Sequence, residues 1–172
     1  PDSVPADMVV GTMLKKVSLT TYDLVHDPKR NLLHVSCPSS SKVPGTANGV
    51  ATISPLTAKI TGTIYVGSEP KLLAIADDGS YIYAGLHGAH AVRRVNLKTR
   101  KPDLIHYLYC GSWTYKVCNP GVLVVVPGSP KAVAINLHNL TSSPSYEGTA
   151  IFDNGVKRKK MTPGHTGPTL LV

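Results

Sequence analysis

The sequence predicts an all-β fold assembled from repeated antiparallel sheets, and three observations carry that expectation. A seventeen-position pattern of apolar strand, Asp-containing polar turn and second apolar strand occurs at Thr20–Ser36 and again at Glu69–Gly85. A third opening, Ser129–Ile135, follows. No stretch shows helical periodicity of useful length, and 15 glycines with 14 prolines in 172 residues supply turns rather than helix interiors. A hairpin recurring at about 50-residue spacing marks stacked sheets, because one sheet alone leaves both of its faces uncovered. The expected architecture is therefore a partial β-propeller of about three four-stranded antiparallel blades. Closed rings commonly need four to eight, at about 40–50 residues each.

The elements follow in order. Residues 1–19 read as an arm with two prolines and two aspartates, ending in a short strand at Met13–Leu19. The first repeat takes 20–67. Its hairpin runs through Asp23–His26 and Leu32–Ser36, with Pro28 presetting φ at the turn and Asp27 accepting local backbone hydrogen bonds. Cys37–Thr46, rich in Ser and Pro, is expected as a surface loop. The second repeat takes 68–128, with Asp77-Asp78-Gly79-Ser80 at the corresponding turn and an inserted loop at 110–120. The later halves also align: Ala47–Ile53 lies over Ala89–Val95, and each continues to a Thr-x-Lys turn, Thr57-Ala58-Lys59 and Thr99-Arg100-Lys101. Ile60–Val66 and Asp103–Tyr109 mix β-branched and aromatic residues as half-buried strands do. Residues 129–172 form a partial third repeat and a tail, in which Asn154-Gly155 signals a tight hairpin after the strand of Glu147–Asp153.

Composition bounds the function classes. The net charge of +8 favours anionic partners without choosing among them. The longest apolar run, Val122–Val126, falls far short of the ~20 residues that a membrane-spanning helix requires. Cys37, Cys110 and Cys118 form neither a CxxC pair nor a metal-ligand series. Either all three are free thiols, or Cys110 and Cys118 bridge in an oxidising compartment and leave Cys37 over. Asn139-Leu140-Thr141 is a glycosylation sequon, a triplet common by chance.

The run Tyr65–Tyr83 (YVGSEPKLLAIADDGSYIY) resembles the repeat of the YVTN-type and lactonase-like seven-bladed propellers. In that repeat a V-G-x-x-P step leads into the inner strand and a D-G turn precedes a Y-x-Y strand. Gly128-Ser129-Pro130-Lys131 resembles the step again, and the similarity spans roughly residues 20–155. The resemblance implies a secreted or cell-surface binding scaffold, with a lactonase-like hydrolase remnant as the alternative. It carries no catalytic residue across.

Candidate sites are few. His87 and His90 are the tightest grouping of ligand-type residues, but no Cys, Asp or Glu shares their loop, so the pattern requires neither metal nor cofactor. Trp113 and Tyr115, between two cysteines, could present a recognition surface or cap an open blade. Lys157, Arg158, Lys159 and Lys160 form a basic patch with no aromatic interleaving, which reads as a solvated hairpin flank rather than a nucleic-acid site. The acids are scattered, and Asp77-Asp78 is accounted for by its turn. With no catalytic set, the expected partner is a protein, or a second copy of the chain, bound through open blade edges.

Overall fold

The computed structural model describes residues 15–110, 116–141, 143 and 145–162, and among them there is no helix. Three antiparallel sheets follow one another along the chain. The first contains β1 (Leu24–Asp27), β2 (Leu32–Cys37), β3 (Gly49–Ser54) and β4 (Lys59–Tyr65). The second contains β5 (Pro70–Ile75), β6 (Tyr81–Leu86), β7 (Ala91–Asn96) and β8 (Lys101–Tyr107). The third contains β9 (Tyr109–Cys110), β10 (Lys116–Val125), β11 (Ala132–Asn139), β12 (Tyr146–Asp153) and β13 (Val156–Met161). Within each sheet, strands neighbouring in sequence pair in space, and the inner strands are β1, β5 and β10: β5 adjoins β1 on one side and β10 on the other, with the two-residue β9 paired to the start of β10. This is blade-on-blade packing.

Alternation decides which sheet each side chain meets. On the second sheet Leu73, Ile82, Ala84, Leu86 and Val95 face the first sheet and meet Val50, Ile64 and Val66. Ala74, Ala76, Tyr83 and Val92 face the third and meet Leu123, Val125, Val133, Ile135 and Leu137. Both faces of the middle sheet are thereby buried. The first sheet's far face carries a smaller cluster of Val35, Cys37, Ala51 and Ile53.

Turn chemistry holds the sheets in register. Asn154 and Gly155, at φ 44° and 99°, make the tight turn that the Asn-Gly pair signals. Asp27 is fully buried and accepts hydrogen bonds from the amides of Lys29 and Arg30 and from Arg30 Nη1 at 2.7 Å. The same Nη1 donates to the Gly79 carbonyl in the next sheet's turn. One step further, Asp77 Oδ2 accepts from the Gly128 amide of the third sheet's turn. Each blade's first turn thus grips the next.

Two expectations are corrected here. Lys15–Leu19, the described part of the strand expected at Met13–Leu19, pairs with no strand; Val17 and Leu19 lay their apolar side chains on the first cluster instead. The third repeat opens one strand earlier than its sequence suggests. Pro120 pairs with Leu137 and Val125 with Val133, just as Pro70 pairs with Leu86 and Ile75 with Ile82. Residues 116–120, expected within an inserted loop, are strand, and Gly128–Lys131 is the turn after the inner strand rather than the step before it. The physical reason is the apolar run Gly121–Val126, which finds its burial against the middle sheet.

Two outcomes follow from this packing. A Cβ on Gly85 would lie 3.0 Å from Pro120 Cγ and 3.1 Å from Leu72 Cβ, so Gly85→Val is expected to cost about 1–3 kcal/mol, read by urea unfolding; unchanged stability would contradict the close approach of these sheets. Burial alone would push the Asp27 carboxyl up, but hydrogen bonds and charge from Arg30 and the Lys29 amide outweigh it and hold it below its ordinary value. A depressed carboxyl stabilises the fold above the unfolded value, near pH 4, and that contribution fades as pH falls through the folded value. Asp27→Asn should therefore lose about 1–3 kcal/mol at pH 7, with a smaller gap from the parent chain at pH 3; an equal gap at both would refute the assignment.

Candidate functional site

The ends of the inner strands form a cleft of 360 Å³ lined by Tyr22, Lys71, His87, Asn119, Gly121 and His138, with Leu72, Pro120 and Leu140 as its apolar wall. The His87–His90 turn between β6 and β7 stands over the start of β10. His87 Nε2 donates to the Pro120 carbonyl at 3.0 Å, which leaves Nδ1 as the acceptor of the neutral ring. Burial lowers the His87 pKa, the carbonyl bond opposes this, and the Lys71 charge lowers it further, so the neutral form prevails at pH 7. His90 Nδ1 lies 2.7 Å from Asn119 Oδ1. At φ 49° it occupies the left-handed position that Asn48 holds at φ 56° in the first blade, where Asn48 Oδ1 accepts from the Glu69 amide. The two histidines therefore tie the second blade to the third.

The third blade supplies Asn119, Pro120, Gly121, His138 and Leu140 to the cleft, and Asn136 packs against Gly121 without lining it. On β11, Asn136 is fully buried and neither its Nδ2 nor its Oδ1 has a hydrogen-bond partner; His138 Nε2 is buried and unpartnered as well. Both converge on Gly121, whose missing Cβ would sit 2.6 Å from His138 Nε2 and 2.8 Å from Asn136 Oδ1. Pro120, fifty positions after Pro70, is the sequence signal that places Gly121 on an inner strand.

Elsewhere, most polar groups are engaged in structure. Thr52 Oγ1, His34 Nδ1 and Asp27 line up as hydroxyl, imidazole and carboxylate, with 3.2 Å between the first two and 3.9 Å from His34 Nε2 to Asp27 Oδ2. All three are at most 3% exposed, so no substrate reaches them; the Thr52–His34 hydrogen bond joins β3 to β2, and His34 Nε2 is buried without a hydrogen-bond partner. Asp78 accepts from the Ser80 amide and hydroxyl, and Glu69 from the Ser39 amide and hydroxyl. Arg94 grips Asp103 through two bonds, reaches Asn154 of the third sheet and lies over the Tyr81 ring. Among the described residues no three of His, Cys, Asp and Glu gather in metal-binding geometry.

The basic patch lies on β13, every residue of which is exposed, with Arg158 paired to Asp153. Trp113 and Tyr115 lie outside the described residues. Cys110 and Cys118 pair across β9 and β10 with Cα atoms 5.6 Å apart, and Cys37 is buried, its thiol pKa raised by burial. The sequon asparagine, Asn139, is 2% exposed and donates through Nδ2 to Glu147, so the folded chain does not offer it for glycosylation.

No protein-family model matches the sequence, and no curated protein matches it. Solved structures do. Over 83% of this chain and 35% of the other, it is similar to the hydrazine synthase of Kuenenia stuttgartiensis, with a TM-score of 0.60 and 18% identity. The RRP9 WD40 repeats match 88% of this chain with 41% of theirs, at TM-score 0.62 and 12% identity. The β-propeller domain of Myceliophteria thermophila Cps50 (Swd1) matches 83% with 39% of its own, at TM-score 0.61 and 12% identity. The chain spans well under half the length of each. At these identities the likeness establishes the fold, a β-propeller of three blades in the described residues, and the fold alone.

The cysteine pairing yields a direct check. Denatured without reductant, the chain should titrate one thiol, and native, none; three thiols after denaturation would contradict the pairing.

Proposed function

We propose that the chain is a non-enzymatic β-propeller module that binds protein through the open apolar face of its first blade, a second copy of the chain being the partner tested first. One observation carries this reading. A groove of 470 Å³ on that face is lined by Val17, Leu19, Leu24, Leu33, Val35 and Ile53, with Leu56 76% exposed at its rim. In the middle blade the equivalent face is covered by a neighbouring sheet, so the same pattern on the first blade supports a covering partner. Fold likeness to WD40 and other propeller domains supports a scaffold role. The Tyr65–Tyr83 run supports membership among YVTN-type propellers, and the Cys110–Cys118 pairing supports a secreted or cell-surface setting.

Sedimentation equilibrium is expected to give a mass about twice the 18.3 kDa of the chain at micromolar concentration. The exposed Leu24→Lys and Leu56→Lys changes together should return it to monomer with the fold intact. A monomer at every concentration would remove self-association, and wild-type and variant masses that agree would remove this face as the interface.

A further inference from the structure

The fold gathers cations that lie far apart in sequence. In each sheet the turn into the outermost strand, β4, β8 or β13, falls at the same end of the blade. The first of these turns is followed by the exposed Lys59 and holds Lys15, whose Nζ donates to the Leu56 carbonyl at 2.8 Å. The second contributes Lys98, Arg100 and Lys101, and the third leads into Lys157, Arg158, Lys159 and Lys160, all exposed. Contacts between blades join the three turns into one band. Arg100 lies on the first blade's outer strand, where a Cβ on Gly62 would collide with its Nη2. The third turn lies on the second blade's outer strand in the same way: a Cβ on Gly155 would sit 3.0 Å from His106 Cε1 of β8, and Arg94 Nη1 donates to Asn154 at 2.9 Å. Two acids share the band and each is already held, Asp103 by Arg94 and Asp153 by Arg158. Apart from Arg158, no exposed cation of the band has an ion pair among the described residues. Lysines on an outer strand discourage edge pairing. That accounts for β13 and not for Lys98 and Arg100, which stand in a turn. A row of uncompensated cations crossing three blades matches a linear polyanion. The band has no aromatic side chain on which a nucleic-acid base could stack, and the Cys110–Cys118 pairing supports an oxidising setting, where linear polyanions are acidic polysaccharides.

We infer that this outer rim binds a sulfated polysaccharide, the sulfates of successive sugars accepting from Lys59, Arg100, Lys101 and Lys157. The choice of polysaccharide rests on the extracellular setting proposed above, whereas the surface is separate from the first blade's open face. A heparin-derived dodecasaccharide titrated into the full chain should bind, with affinity falling about fiftyfold between 50 and 200 mM NaCl, the log–log slope of about −3 expected for four neutralised charges. Lys98→Gln with Lys101→Gln in the second blade, and Lys157→Gln with Lys159→Gln in the third, should each weaken binding about tenfold and flatten the slope by about one. All four are exposed, so the fold is left intact. Lys42→Gln with Lys71→Gln, at the opposite end of the blades, removes the same charge and should leave affinity within about twofold. Single-stranded oligothymidine of equal length, less densely charged and with bases that find no stacking partner, should bind at least about tenfold more weakly. Absence of binding at 50 mM NaCl, an effect confined to the β13 lysines, or equal losses from the Lys42 and Lys71 pair would each overturn the site. Oligothymidine binding as tightly would overturn the polysaccharide assignment. A chain that self-associates through its first blade but ignores the oligosaccharide defeats this assignment and not the first; one that binds it as a monomer does the reverse.

Discussion

The middle sheet is covered on both faces, and the rest of the molecule depends on that. A four-stranded antiparallel sheet buries its strand ladder internally but leaves two broad apolar surfaces. The solution is to place another sheet on each side. Small residues make the approach close: Ala74, Ala76, Ala84 and Gly85 are where the flanking sheets meet the middle one, and Pro120 settles over Gly85. The apolar cores are therefore interfaces between blades. The outer faces of the first and third blades lack such cover within the described residues, and the first displays the apolar pattern that the interior blades hide.

Polar ties add direction to that packing. Apolar faces alone tolerate sliding, whereas Arg30 on the Gly79 carbonyl, Asp77 on the Gly128 amide and Arg94 on Asn154 each join defined points of successive blades. Most of these groups come from turns, where Asp and Asn already serve the local backbone. One residue type thus closes a hairpin and fixes its neighbour. The cleft at the inner strand ends arises from the same device, since His87 and His90 tie the second blade to the third and leave a recess where β5 and β10 begin.

Much of the fold was legible because turns and strands of the first two repeats follow one local rule: an apolar pair of strands around an Asp-containing turn, then a left-handed residue, Asn48 or His90, before the next strand. The third repeat hid its register. Its inner strand ends on Pro127-Gly128 with no Asp, and Ser129-Pro130-Lys131 imitates Glu69-Pro70-Lys71, so local similarity pointed one strand too late. Burial against Ala74 and Tyr83, a long-range effect, decides the true register. The cleft was half legible. His87 and His90 stand out as a pair, but Gly121 and His138 come beside His87 only through the packing of the third sheet on the second, a long-range effect that nothing local announces.

Amide hydrogen exchange tests the central claim most directly, because it reads the protection of each sheet separately. With both faces covered, β5, β6 and β7 should exchange slowest, at rates that track global unfolding, while β1, β2 and the exposed β13 exchange sooner. Equal protection across the three sheets, or slowest exchange in the first, would mean that the middle sheet is not the one sandwiched between the other two.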